Sequence, residues 1–354
     1  MTDAAEFLFI TCQVGAESAV KGEIARLWAD FRFAYSRPGF LTFKLPSGHG
    51  LADDFDLNSV FARAYGFSLG KVPSSDPEAV AEAGISAMGD RACEVLHVWP
   101  RDAAPAGYRG YDPGQIPESI AIEAAIRSHW PERANRPALS QTATARFGQL
   151  VLDCIWIDPG LCWLGYHRAA ALPSRWPGGL CSIELPPDAV SRAYLKMEEA
   201  MRWSQFPIKP GQRAAEIGAG PGGASQALLN RGLLVTGIDP AHIDPKVTSH
   251  PNFTHIRKRG ADVRRREFRK IRWLVADMNV APTYTLDTIE GIVTHDESGV
   301  RGLMLTLKLL DWGLAEHVPE YLERVRSWGF VDARARQLHH NRQEVCVVAS
   351  RPRR

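Results

Sequence analysis

Residues 216–225, EIGAGPGGAS, constrain this chain more than any other stretch. They follow a short apolar run, RAAEI, and open a helix-forming stretch, GASQALLNRG, that Gly232 stops. Gly218, Gly220 and Gly223 spell GxGxxG, the spacing that lets backbone pass close to a ligand at a helix N-terminus, where unpaired N–H groups face outward. A second run, LLVTGID, closes on Asp239, 21 residues after Gly218, and an acid at that distance suits a hydrogen bond to a ribose diol. Strand, glycine turn, helix, strand: the pattern predicts an α/β domain that holds a nucleotide.

The rest of the C-terminal half narrows the nucleotide. WLVADM and LMLTLKL are apolar runs of the kind found in parallel strands buried on both faces, and YLERVRSWGF is a helix with a glycine stop. DARARQL and EVCVVAS, joined by the polar turn HHNRQ, predict an antiparallel hairpin at the end of the sheet. Dehydrogenase folds continue with parallel strands, whereas methyltransferase folds insert an antiparallel last strand. The hairpin, the proline in GPGG and the acid Glu216 all lean toward S-adenosylmethionine as the bound cofactor. Its expected contacts are Glu216, Gly218, Ala219, Gly220, Pro221, Gly222, Gly223, Asp239 and Asp277, with Asp262 as a candidate for the adenine. Gly218 and Gly220 are expected where backbone meets ligand.

A chain of 354 residues accommodates two domains, each with its own core. Residues 1–168 read as an α+β unit: a strand in EFLFITCQ, an amphipathic helix in ESAVKGEIARLWADF and a strand in GFLTFKL make a β-α-β beginning. CEVLHVWP, a helix in PESIAIEAAIRSHW and a hairpin around Asp158-Pro159-Gly160 continue it, with residues 101–117 as a long loop. Residues 169–190, rich in Pro and Gly, are expected to be a linker, and 191–354 the nucleotide-binding domain. The first residues, MTDAAEFLFITCQ, lack the basic start of a signal peptide, and no stretch approaches the roughly 18 apolar residues of a membrane span. Six scattered cysteines without a CxxC pair suggest neither zinc nor a disulfide framework, which fits a reducing cytoplasm and no membrane partner.

Ligands of such sheets bind at the carboxyl ends of the strands. Asp277 ends WLVADM and Lys308 ends LMLTLKL. Glu344 begins the last strand, which runs the other way and so starts at the same edge. Lys196, in the helix SRAYLKMEEAMRW ahead of the first strand, leans over that edge. Each alone reads as a surface lysine, a turn-capping aspartate or an edge charge; four at one edge read as a catalytic set. They suit methyl transfer to a ribose 2′-hydroxyl, whose tightly held proton a base must take as the C–O bond forms. Lys308 is the expected base, its pKa lowered by neighbouring Lys196, with Asp277 and Glu344 fixing geometry. The chemistry requires no metal.

In order and placement, Lys196, Asp277, Lys308 and Glu344 resemble the K-D-K-E set of the FtsJ-like RNA ribose 2′-O-methyltransferases. SRAYLKMEEA, EIGAGPGG, WLVADM, LTLKL and RQLHHNRQEVCV, with LCWLGYHR and ELPPDAVSR before them, resemble more narrowly the bacterial ribosomal RNA large subunit methyltransferase M family. The resemblance covers roughly residues 155–350. It implies a Rossmann-like class I methyltransferase domain with a C-terminal antiparallel strand, preceded by a THUMP-like RNA-binding domain. It implies S-adenosylmethionine-dependent 2′-O-methylation of a cytidine in 23S rRNA, with RNA or a ribosomal precursor, not DNA, as partner. Glu216 stands where Asp is usual, Ala224 where Trp is usual and Leu310 where Pro is usual, departures that bear on the target nucleotide.

Two other readings stay open at this point: methylation of another RNA such as tRNA, and a non-catalytic RNA-binding protein on a methyltransferase fold. An oxidoreductase has only GxGxxG in its favour. The net charge of +2 favours no polyanion, but residues 255–272, HIRKRGADVRRREFRKIR, set nine Arg or Lys against two acids. That segment is either a solvated helical face or a patch, with Arg264, Arg265 and Arg266 at its centre, that contacts RNA phosphates.

Overall fold

The computed structural model describes residues 5–131 and 137–352; residues 1–4, where the stretch read as lacking a signal peptide begins, lie outside the described residues. The chain divides into two units, Met1–Cys181 and Ser182–Arg354. Residues 169–181 were expected in a linker but belong to the first unit. Ala169 is fully buried and its amide donates to the Gln149 carbonyl at 2.9 Å, while the Arg175 carbonyl accepts from the Ala145 amide at 2.8 Å. Backbone pairing of this kind leaves no trace in composition.

In the N-terminal unit, apolar runs alternate with helices to give β1 (Phe7–Cys12), α1 (Glu17–Leu27), β2 (Arg32–Arg37), β3 (Phe40–Lys44), β4 (Ala62–Val72), α2 (Pro77–Met88), β5 (Val95–Pro100), α3 (Pro117–His129), β6 (Leu150–Asp158) and β7 (Leu161–Arg168). They form one mixed sheet in the order β2-β3-β1-β4-β7-β6-β5. The expected β-α-β start is split: β3 lies antiparallel beside β1, because the hairpin with β2 folds it into that place. The hairpin turning at Pro159-Gly160 joins β6 and β7, with Gly160 at φ +81°. All six cysteines are buried. No described helix is long and apolar enough to cross a membrane.

The C-terminal unit holds α4 (Ala193–Ser204), β8 (Arg213–Ile217), α5 (Gly223–Asn230), β9 (Leu234–Ile238), α6 (Pro245–Thr248), β10 (Phe253–Ile256), β11 (Trp273–Asp277), α7 (Pro282–Val293), β12 (Gly302–Lys308), α8 (Val318–Ser327), β13 (Arg334–Arg336) and β14 (Glu344–Ser350). Its sheet runs β10-β9-β8-β11-β12-β14-β13. The first five are parallel to one another, and β14 is antiparallel to both β12 and β13. This is a Rossmann-like methyltransferase sheet, and its order reverses between β8 and β11, the crevice where ligands of such sheets bind. Leu274, Val275, Ala276, Leu303 and Leu305 are fully buried, as parallel strands covered on both faces require. α4 seats Tyr194, Met197 and Met201 in the core at helical spacing, each contributing roughly 1.5–3 kcal/mol by burial.

Candidate active site

The four expected residues meet. Lys196 comes from α4, Asp277 from the end of β11, Lys308 from the end of β12 and Glu344 from the start of β14. Lys308 and Glu344 are cross-strand partners in the β12·β14 register, so sheet pairing alone brings them together. Lys308 Nζ lies 2.7 Å from Asp277 Oδ1 and 2.5 Å from Glu344 Oε2; Lys196 Nζ lies 2.6 Å from Glu344 Oε1 and 3.6 Å from Asp277 Oδ2. Two ammonium groups thus alternate with two carboxylates in a closed ring. Glu344 is the most enclosed, its side chain 4% exposed against 17% for Lys308. Burial by itself would raise the Glu344 carboxyl, yet the Lys196 and Lys308 ammonium groups hold it down at about 2.

Lys308 departs from the expectation. Burial pulls its pKa down, but Asp277 and Glu344 outweigh burial, and the net direction is upward. Lys196 does not depress it, because Lys196 is itself neutralised by Glu344. Lys308 therefore stands protonated at neutral pH until something else removes its carboxylate support or adds positive charge.

Two residues the sequence reading did not single out hold this ring in place. Asn341 donates through Nδ2 to Glu344 Oε1 at 3.0 Å, while its Oδ1 accepts from the Leu338 amide. Glu199, one helical turn after Lys196, accepts from the amides of His339 and His340 at 2.9 and 3.1 Å. It therefore ties the helix carrying Lys196 to the turn that leads into Glu344. Glu199 is buried, which alone would raise its carboxyl, but the histidines hold it at about 2. The only sequence signal was a glutamate among the apolar positions of α4 and the cluster HHN, neither of which names a partner.

The glycine loop stands beside the ring and can hold a cofactor. Gly218 adopts φ +83°, and a Cβ there would meet the Asp277 carbonyl oxygen at 2.6 Å. Its need for glycine thus arises first from the neighbouring strand, not from the ligand as expected. At Gly220 a Cβ would stand 3.3 Å from Asp239 Oδ2, a milder conflict. Gly220 and Pro221 are exposed, so the loop presents its backbone to solvent, while Ala219, Gly222 and Gly223 are buried beneath. Gly223 opens α5 against the start of α4, where a Cβ would overlap Ser191 Oγ and approach the Tyr194 amide at 3.1 Å. Asp239 accepts from the Gly220 amide at 2.9 Å and the Ala241 amide at 2.7 Å, one bond per oxygen, leaving each a second acceptor site for a diol.

Glu216 lies deeper than expected. It is 2% exposed and accepts a 2.5 Å hydrogen bond from Ser225 Oγ at the start of α5. Burial, with Asp277 and Asp239 adding to it, pushes its carboxyl up to about 8 against the Ser225 bond. It supports the loop from below. Asp262 is exposed in the turn after β10, and that turn packs over the end of β8 because Gly260 leaves room for Ile217. Residues 257–272 are not a helical face: they form a connection with two short 3-10 turns, Gly260–Asp262 and Arg265–Phe268, anchored by the buried Val263, Phe268 and Ile271. Arg264 and Arg266 are exposed, and Arg265 donates to the Val263 carbonyl.

The N-terminal unit gathers a second buried polar group, from three strands. Asp153 of β6 accepts from His167 Nδ1 of β7 at 2.6 Å, His167 Nε2 donates to the Ser174 carbonyl at 2.7 Å, and His97 of β5 donates to the Ala143 carbonyl at 2.8 Å. These residues are ligand types lying within 4.8 Å of one another. Hydrogen bonds account for His167 and for one nitrogen of His97, so the cluster reads as a strand tie.

A model of the FtsJ-like methyltransferase family matches residues 189–318, a span that takes in the glycine loop, Lys196, Asp277 and Lys308. That span lies wholly within the C-terminal unit. Several curated relatives bear one name, ribosomal RNA large subunit methyltransferase M. The relative from Halorhodospira halophila is 33% identical over 223 residues, 61% of this chain and 62% of its own length. That from Thauera aminoaromatica is 31% identical over 239 residues, 63% and 64%, and that from Laribacter hongkongensis 32% over 188 residues, 50% and 52%. The matched part of the chain thus spans between half and two thirds of these relatives.

Proposed function

We propose that the chain is an S-adenosylmethionine-dependent RNA ribose 2′-O-methyltransferase that acts in the cytoplasm on a cytidine of 23S rRNA, with a THUMP-like, RNA-binding N-terminal unit. The observation that carries this reading is the closed Lys196–Asp277–Lys308–Glu344 ring at the carboxyl edge of the sheet, beside the glycine loop. The FtsJ-like match and the relatives named as rRNA methyltransferases support it.

The donor supplies an electrophilic methyl on a positively charged sulfur that leaves as a neutral thioether. The loop backbone around Gly218, Gly220 and Pro221, with Asp239, would hold it, with Asp262 toward the adenine and Asp277 between loop and ring. Glu216, Ala219, Gly222 and Gly223 would support that backbone from below. The substrate's 2′-oxygen forms the new C–O bond as the C–S bond breaks, and the hydroxyl proton passes to Lys308 Nζ. Lys308 can accept it only when uncharged. A cationic sulfonium nearby and the exclusion of water by bound RNA both favour the uncharged amine, opposing the two carboxylates. Asp277 and Glu344 aim Nζ, and Lys196 keeps Glu344 from holding Lys308 too firmly.

Two measurements test the reading. Calorimetric titration should show binding of S-adenosylmethionine and none of NADH. Mapping 2′-O-methyl groups in RNA from cells with and without the gene should show one cytidine of 23S rRNA losing its mark. Tight NADH binding, or an unchanged rRNA map, would overturn it.

A further inference from the structure

The edge of the C-terminal sheet opposite the ring carries a row of arginines. Arg213 begins β8, Arg272 immediately precedes β11, Arg301 precedes β12 and Arg351 follows the antiparallel β14. These four strands are consecutive in the sheet. Their backbones are joined in sequence: the Arg272 amide donates to the Arg213 carbonyl at 2.9 Å, the Arg301 amide to the Arg272 carbonyl at 2.8 Å, and the Arg351 amide to the Arg301 carbonyl at 2.9 Å. The register that pairs Trp273 with Ala214 and Gly302, and Gly302 with Ser350, sets the four arginines side by side. Cross-strand neighbours share a face and lie about 4.8 Å apart, so this is one cation per strand on one side of the sheet edge.

Arg272, Arg301 and Arg351 line a cavity of about 560 Å³ with Lys209, Gln212 and two prolines, and among the described residues no carboxylate side chain belongs to that lining. Asp332, which bonds Ser350 beside Arg351, lies outside that lining. Arg351 donates to the Val293 carbonyl and packs on Phe330, and Arg272 stands over Trp273, so these two side chains are held in place. Like charges set directly opposite across strands destabilise a sheet. Four in succession make a strip of one sign that attracts an anion laid along it.

The geometry points to a second surface for RNA backbone phosphates, made by Arg213, Arg272, Arg301, Arg351 and Lys209, on the edge away from the catalytic ring. This rests on the RNA-methyltransferase reading. The basic connection 257–272 supplies continuity: it leaves β10 at the carboxyl edge and must enter β11 at the opposite edge, so its cations run down the flank and end at Arg272. Guanidinium groups in a row suit successive phosphates, which each accept two of their hydrogen bonds. Along β11 the two edges are roughly 17 Å apart at the usual rise per residue. A long RNA would span both, and a short oligonucleotide filling the catalytic edge would not reach the row.

The test uses the full chain, a long 23S rRNA transcript and a short oligonucleotide carrying the nucleotide methylated in that transcript. Arg272→Glu with Arg301→Glu should weaken transcript binding about tenfold or more and shallow its salt slope by about 1.4–1.8, with oligonucleotide methylation and S-adenosylmethionine affinity unchanged. Should the reversal impair folding, Arg272→Gln with Arg301→Gln must still shallow the slope. An unchanged slope in a folded variant, or equal losses on transcript and oligonucleotide, overturns the proposal while leaving the enzyme reading intact. A wild-type chain that binds S-adenosylmethionine but no RNA overturns both.

Discussion

The two edges of one sheet handle charge in opposite ways. At the carboxyl edge two lysines and two carboxylates close a ring in which each cation touches both anions. Beneath it, burial, with Asp277 and Asp239 adding to it, drives Glu216 to about 8. At the other edge, Arg213, Arg272, Arg301 and Arg351 stand in register, and among the described residues no carboxylate side chain lines the cavity that three of them share. A locally balanced but acid-rich edge suits a small cationic donor and a proton transfer that must not be swamped by fixed positive charge. A single-sign edge suits a polyanion held by its backbone and does no chemistry. The same strands serve both because their ends, not their apolar middles, carry the difference.

Removing the proposed base should have the largest effect and would most directly break the contrast. Lys308→Ala takes away a positioned proton acceptor worth typically about 10²- to 10⁴-fold, so single-turnover methyl transfer should fall by that much while S-adenosylmethionine and RNA still bind. Lys308→Arg should be nearly as poor, because a guanidinium keeps its proton at any working pH. Since Asp277 and Glu344 hold the pKa of Lys308 up, transfer by the wild type should climb with pH. Lys196→Ala should push that climb to higher pH, because Glu344 and Asp277 would then attend Lys308 alone. Near-normal activity in Lys308→Arg would mean that the ring only orients the substrate, making the catalytic edge another charge-matching surface like its opposite.

A smaller effect reports the acid-rich floor beneath the ring. Glu216 has an ordinary pKa of 4.5 and sits at about 8 in the fold, so between those values the folded chain binds a proton that the unfolded chain has released. Stability from this group is greatest below pH 4.5, declines as pH rises through the window and is level above about 8. Glu216→Gln keeps a neutral side chain of the same shape. Its unfolding free energy should therefore gain on the wild type as pH rises from 5 to 8, by an amount on the order of a few kcal/mol at the upper end, as urea unfolding would measure. A constant difference across that range would show that Glu216 is charged in the fold and that neither burial nor its acidic neighbours raise it.

The sequence was readable where one residue's neighbours settle its place. Asp277 and Lys308 end apolar runs, Glu344 begins one, and the chain direction then puts all three at one edge. Gly218 and Asp239 were equally local. Other features needed pairing that no single stretch encodes. β4 was passed over because Gly66, Gly70 and Arg63 interrupt its apolar pattern, and β10 because four residues are too few to show a period. The clamp of Glu199 on His339 and His340 joins residues 140 and 141 positions apart. The direction of the Lys308 shift depended on distances to two carboxylates, and a count of nearby lysines pointed the wrong way. The arginine row is the clearest case: the four residues lie in four separate segments, and only strand register makes them neighbours.

That row should also leave a signature in stability, the smallest of these effects and the one most specific to register. Cross-strand pairs are worth roughly 0.2–1 kcal/mol, and like charges directly opposite cost energy. Arg301 stands between Arg272 and Arg351, so Arg301→Gln removes two such repulsions at once. In the absence of RNA and at low salt the variant should be more stable than the wild type by about 0.2–0.5 kcal/mol, measured by urea unfolding. Because the Debye length shortens from about 30 Å at 0.01 M to about 3 Å at 1 M, the gain should vanish in concentrated salt. Adding the long transcript at low salt should reverse the order, since the wild type then gains a contact that the variant lacks. At the catalytic edge the corresponding change, Lys196→Gln, should do the opposite without RNA: it strips Glu344 of one of its two cations and leaves a buried carboxylate half-compensated, so stability should drop. If Arg301→Gln is instead destabilising at low salt, the arginines serve the fold, and the two edges differ only in the sign of the charges they tie down.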